Sequence, residues 1–143
     1  MASVYLVCRD ARADSLIGNI ALGLQLKEAG TDVAVVFTGE SLKAFTGEIL
    51  MWPPQLNNRP AQMEIAKGGT AMGLEITAEF DRRWIDTDRL IQQAVARGLP
   101  LIACPVWTQL LGLDAALPSY LGRVETQAFL ADLQSARQVI GGY

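Results

Sequence analysis

Val33-Ala34-Val35-Val36-Phe37-Thr38 is apolar almost from end to end, with no alternation of polar and apolar positions. A strand wet on one face alternates; a strand covered on both faces does not, and that is the pattern of parallel sheets. Upstream, Ile17, Ile20, Ala21 and Leu24 recur at helical spacing, Leu16, Leu22 and Leu26 widen the apolar face, and Gly30 supplies a stop. Asp14 is the expected N-cap of this helix. Before it, Val4-Tyr5-Leu6-Val7-Cys8 reads as a second buried strand that ends in the polar stretch Arg9-Asp10-Ala11-Arg12. Strand, amphipathic helix, glycine and strand make a βαβ unit.

The same grammar returns downstream. Asp86-Thr87-Asp88 are capping residues ahead of Leu90, Ile91, Ala94 and Val95, with Gly98 as the stop. Leu99-Pro100-Leu101-Ile102-Ala103 is a further buried strand, parallel and close to the first two, and Cys104-Pro105 ends it. Val106 to Leu111 fits a short helix closed by Gly112. Thr126 to Ala136 carries Phe129, Leu130 and Leu133 on one helical face, and Gln138-Val139-Ile140 suggests a last strand. Glu40 to Phe45 reads as a short helix. Residues 47–85, with Trp52-Pro53-Pro54, Asn57-Asn58 and Gly68-Gly69, are irregular; Pro60 opens a short helix there and Gly68 closes it. Such a segment is either a functional lid or oligomer contact, or a plain surface excursion. The expectation is one α/β domain over residues 1–143, with a flavodoxin-like parallel sheet and helices on both faces.

Composition excludes much chemistry. The chain has 143 residues, a net charge of −3 and no histidine. Ser-His and Cys-His catalytic pairs and the commonest zinc ligand are therefore absent. Its two cysteines are far apart, and neither a Walker A loop nor a Gly-x-Gly-x-x-Gly follows a strand, so neither a metal nor another cofactor is called for. No basic block supports a nucleic-acid or anionic-membrane partner. The start, Met1-Ala2-Ser3-Val4-Tyr5, lacks a basic n-region, and no apolar run could span a bilayer, so the expected location is the cytoplasm.

Carboxylates, arginines, hydroxyls and two thiols remain. In open α/β sheets the ligand crevice lies outside the carboxyl ends of the strands, where Cys104 is expected. Pro105 suits the first position of a helix, which makes Cys104 its N-cap and favours the ionised sulfur. The opposing force is desolvation by Val106, Trp107 and Leu110; cysteines in cores are commonly inert. Cys8 ends the first strand in the same way. If that strand neighbours residues 99–103, both sulfurs edge one crevice and a transient disulfide becomes conceivable. Arg9, Asp10 and Arg12 are candidate binding residues at the same edge, or a solvated turn. Asp81, Arg82, Arg83, Asp86 and Asp88 read as a surface ion-pair patch or helix cap. Trp52, Trp84 and Trp107 serve either to cover the crevice or as core or interface anchors.

The strand, helix, Gly-turn and strand of residues 4–38 resemble the DsrE/DsrF-like sulfur-relay family. So do Leu99-Pro100-Leu101-Ile102-Ala103-Cys104 with Gly112 eight residues beyond, and the tail from Ala128-Phe129-Leu130 to Val139-Ile140. Residues 47–85 have no counterpart in the resemblance. It implies a five-stranded sheet, a trimer or hexamer, and a persulfide carried on Cys104 between a donor and an acceptor protein. Cys8, Arg9, Asp10, Arg12, Pro105, Trp107 and Gly112 are the accompanying candidates. Two features depart from the pattern: Leu110-Leu111 stand where many members carry a basic residue before the glycine, and Pro105 and Trp107 make the stretch more apolar. The alternative readings are a non-covalent small-molecule or nucleotide-binding module and a non-catalytic oligomeric partner.

Overall fold

The computed structural model describes residues 2–48 and 50–141; Met1, Ile49, Gly142 and Tyr143 lie outside them. Five strands form one sheet: β1 (Val4–Cys8), β2 (Val33–Phe37), β3 (Leu101–Ala103), β4 (Gly122–Arg123) and β5 (Gln138–Gly141). Their order is β4-β3-β2-β1-β5, and every pairing is parallel. The helices are α1 (Ala13–Glu28), α2 (Arg59–Ala71), α3 (Thr87–Ala96), α4 (Pro105–Leu110) and α5 (Thr126–Ser135). Short 3-10 turns cover Gly39–Phe45 and Pro54–Leu56.

Side chains alternate across the sheet and sort into two clusters. Val4, Leu6, Cys8, Val33, Val35, Phe37, Leu101 and Ala103 point to one face, where α1 and α3 bury Leu16, Ile20, Leu24, Leu90 and Ile91 against them. Tyr5, Ala34, Val36 and Cys104 point to the other, which meets Phe129 and Leu133 of α5. The chain steps from β1 through β4 in one direction, and α5 then carries it back to β5 beside β1. The continuous apolar runs are thus explained: β2, at the centre, is buried at all five positions.

Several boundaries differ from the sequence expectation. α1 starts at Ala13 with Arg12 in the N-cap position and no side-chain cap. Asp14 lies inside the first turn, where its negative charge suits the helix dipole. β3 begins at Leu101 because Pro100 has no N–H to pair, although its carbonyl still accepts from Val35 at 2.9 Å. α2 has Pro60 in its first turn, as expected, and Asn58 caps it by accepting from the Ala61 N–H at 2.9 Å. It does not end at Gly68: it runs to Ala71, and Gly73, at φ +81°, follows its end. Gly69 is there for room, since a Cβ at that position would lie 2.6 Å from Ile76 Cγ2. The two-residue β4 has no apolar signature at all.

Residues 47–85 are not a free excursion. Met51 bridges to Arg12 in parallel, with Ala13 N–H donating to the Met51 carbonyl at 2.8 Å. Thr77 bridges antiparallel to Ile85. Gln93 of α3 is buried, receives the Glu75 N–H at 2.7 Å and donates to the Gly73 carbonyl at 2.9 Å. The segment is thereby tied to α1 at one end and to α3 at the other.

Candidate functional site

Cys104 sits where the sequence places it. Its backbone N–H continues the ladder past β3, donating to the Phe37 carbonyl at 2.9 Å, and its own carbonyl accepts from Thr108 to start α4. Pro105 occupies the first turn, and the Cys104 side chain makes no capping hydrogen bond. The residue is 7% exposed. It is covered by the Tyr5, Val36 and Phe129 cluster, not by the neighbours expected to seal it. Val106, Trp107 and Leu110 turn outward, Leu110 being 66% exposed.

Cys8 has a different environment. It is 1% exposed, lies in the main core, and its Sγ lies 3.9 Å from the Asp10 carbonyl oxygen. Burial above all pushes its thiol from about 9 up to about 12, with the Asp10 and Asp14 charges adding to the rise. The two sulfurs do not share one crevice. β2 lies between β1 and β3, and Cys8 and Cys104 pack on opposite faces of the sheet.

The polar candidates after β1 are exposed. Arg12 Nε lies 3.3 Å from Asp14 Oδ1, both partly exposed, and Ser15 Oγ donates to Asp10 at 3.4 Å. Arg9 and Asp10 are exposed. Gly112, at φ +62°, terminates α4, its N–H donating to the Gln109 carbonyl at 3.1 Å. That is a backbone role, because nothing lies within 4 Å of a Cβ there. Arg83 pairs with Asp81 at 2.9 Å, and Asp86 caps α3 by accepting from Arg89 N–H.

Two clefts open at the carboxyl edge. One, of about 480 Å³, is walled by Pro105, Thr108, Gln109, Arg123 and Thr126 among others. Thr108 is buried, and its Oγ1 has no hydrogen-bond partner among the described residues. Arg123 is fixed there by contacts with the Leu121, Asp114 and Leu117 carbonyls at 2.6, 3.1 and 3.2 Å and by the Asp114 carboxylate at 3.3 Å. The other cleft, of about 530 Å³, lies over α1 and α3 and is walled partly by Trp52 and Trp84. Trp107 stands on α4, away from it. Thr108 and Arg123 carry no motif, so the sequence could single out neither. The tryptophans were visible, but not their partners in the wall. Among the described residues, no group of three or more His, Cys, Asp or Glu could hold a metal ion, and no helix is long and apolar enough to cross a membrane.

The fold and this edge define an α/β protein with a five-stranded, flavodoxin-like parallel sheet and a cysteine at the end of the third strand. Among solved structures, the chain is similar to the ychN protein from E. coli. The likeness covers 99% of this chain and 100% of that one, at 17% identity and a TM-score of 0.59, and shows a shared fold. No family model matches the sequence, and no curated protein matches it.

Proposed function

We propose that this chain is a sulfur carrier that holds a persulfide on Cys104. The observation that carries the reading is the contrast between the two thiols. Cys8 is locked in the main core with its thiol pushed up to about 12, whereas Cys104 ends a strand and starts a helix with little hold on the core. α4 has six residues and buries only Thr108, so the chain is expected to open locally where Cys104 begins it. The ionised Cys104 sulfur attacks the outer sulfur of a donor persulfide, R–S–SH. A new S–S bond forms, the donor's S–S bond breaks, and R–S⁻ leaves. An acceptor thiolate then takes the outer sulfur and returns Cys104 as its thiolate. The DsrE-like fold shared with ychN supports the reading.

The test is mass spectrometry after incubation with glutathione persulfide, on the parent chain, Cys8→Ser and Cys104→Ser. Gain of one sulfur atom by the parent and by Cys8→Ser, and no gain by Cys104→Ser, is the expected result. Labelling of Cys8 alone, or of nothing until the chain unfolds, removes the proposal.

Self-association through the α5 face belongs to the same reading. Val139 pairs with the buried Tyr5 and so shares its face, yet it is 49% exposed, because α5 leaves β5 uncovered. Leu130, Val106, Trp107 and Leu110 add apolar surface on α5 and α4. A second copy of this chain covers them, in a trimer or hexamer. Light scattering should give a multiple of the chain mass that falls to the single-chain value in Val139→Asp; a single-chain mass for the parent rejects the assembly.

A further inference from the structure

The larger cleft has a composition that thiol chemistry does not use. Its aromatic wall holds Phe45, Trp52, Trp84 and Tyr120, with Phe45 and Tyr120 edge to face at a centroid distance of 6.3 Å. Among the described residues, Glu48 and Asp88 are its only charged lining groups, and no lysine or arginine lines it. We propose that this cleft binds a small organic cation, an alkylated ammonium ion, over its aromatic faces and beside its two carboxylates.

Charge and shape favour that class over others. A cation is drawn to the face of an indole or phenol by the ring quadrupole, and the more so beside unpaired carboxylates. A phosphate or other anion meets only negative side chains. The first turns of α1 and α3 reach the cleft through Ala13, Thr87 and Asp88, and free N–H groups there would draw an anion. Each end has one of these N–H groups answered from within the chain: Ala13 N–H donates to the Met51 carbonyl, and the Asp86 carboxylate takes the Arg89 N–H. Of the nearby cations, Arg12 pairs with Asp14 and Arg83 with Asp81, while Arg59 lines, with Arg83, a neighbouring cleft that shares Gln62 and Trp84 with this one. A bare metal ion lacks ligands, since no group of three or more suitable side chains gathers among the described residues. Tyr120 stays a neutral phenol, because burial and then the Asp88 charge raise its pKa.

The walls are held before any ligand arrives. Trp84 follows the Asp81 turn, its N–H donating to the Asp81 carbonyl at 3.1 Å and its carbonyl accepting from Ala78 at 2.8 Å. Trp52 follows the Met51 bridge to α1. Trp84 is 53% exposed, so its removal leaves the core intact.

Choline and its neutral isostere 3,3-dimethyl-1-butanol test the proposal. Each is titrated at matched ionic strength and followed by saturation-transfer NMR. Choline should bind at least about tenfold more tightly than the alcohol, the increment expected of a cation over aromatic rings with charge support. Asp88→Asn should weaken choline several-fold and leave the alcohol unchanged, and Trp84→Leu should weaken both. Thermal melts confirm that both variants fold. Equal binding of the two probes, no saturable choline signal, or choline binding that survives both substitutions overturns the proposal. None of these outcomes involves Cys104, so the test stands apart from the sulfur-carrier reading.

Discussion

The Cys104 N–H and the Phe37 carbonyl, 2.9 Å apart, join the end of β3 to the end of β2. Phe37 is also the register partner of Cys8. One central residue therefore sets the height of both thiols along the sheet, while the pleat sends the sulfurs to opposite faces. Cys8 goes to the face closed by α1 and α3, and Cys104 to the face that α5 closes only in part. Topology, more than any neighbouring charge, separates the surroundings of the two thiols.

Cys8 should leave a signature in alkaline stability. Its folded thiol titrates near 12 and the unfolded thiol near 9. Below pH 9 both states are protonated and the stability is fully present. Between pH 9 and pH 12 only the unfolded chain ionises, so stability falls as pH rises, by at most about 1.4 kcal/mol per pH unit. Urea unfolding of the parent and of Cys8→Ala at pH 8, 9.5 and 11 reads the difference. The parent should lose stability more steeply than the variant, and parallel slopes would place Cys8 in contact with water.

The adjacent glycines of α2 should respond in opposite directions. Gly68 has nothing within 4 Å of a Cβ, so Gly68→Ala gains helix propensity and should stabilise by about 0.5–1 kcal/mol. Gly69→Ala drives a methyl against Ile76, which is fully buried and has nowhere to move. The overpacking costs about 1–3 kcal/mol. Thermal melts should therefore show one midpoint rising and the other falling; two increases would mean that α2 does not pack on Ile76.

Much of the architecture was legible because burial leaves a one-dimensional trace. Val33–Phe37 shows no alternation, and the central strand of a parallel sheet needs none. Asp86 announced a cap. Gly122–Arg123 could not be read, since an edge strand of two residues carries no apolar run and is recruited by its neighbour's backbone. The Asp14 boundary failed because Arg12 and Met51 form a bridge that sets where α1 begins, a contact 39 positions apart in sequence. For the site, the position of Cys104 followed from the strand pattern. Its cover did not, because the sequence offers adjacent Val106 and Trp107, whereas the chain supplies Tyr5 and Phe129 from its two ends. The aromatic cleft likewise joins Phe45, Trp52, Trp84 and Tyr120 from four separate segments.

Gln93 illustrates a buried polar group that holds a loop. Its amide satisfies the Glu75 N–H and the Gly73 carbonyl at once. Gln93→Leu keeps the volume and leaves both backbone groups without a partner, at about 1–3 kcal/mol for each that stays dry. Hydrogen exchange should show faster exchange of the Glu75 amide and of residues 76–78 beyond it, while β1 and β2 are unaffected. Uniform loss of protection would instead show that the 73–78 segment unfolds only with the whole chain.

Arg123 should resist replacement even by lysine. Its guanidinium reaches three carbonyls and a carboxylate from three nitrogens, and so pins residues 114–121 against β4. The Asp114 contribution is small, because that carboxylate is largely exposed. The main-chain contacts carry the effect, each worth about 0.5–1.5 kcal/mol net, and somewhat more to a charged donor. Lysine brings a single nitrogen and cannot span the fan of acceptors. Arg123→Lys should lower stability nearly as much as Arg123→Met, whereas Asp114→Asn should change little. The loop also walls the cleft beside Cys104, so limited proteolysis should nick residues 114–121 in both Arg123 variants and spare the parent. Full resistance of Arg123→Lys would show that charge alone, and not the forked geometry, holds the loop.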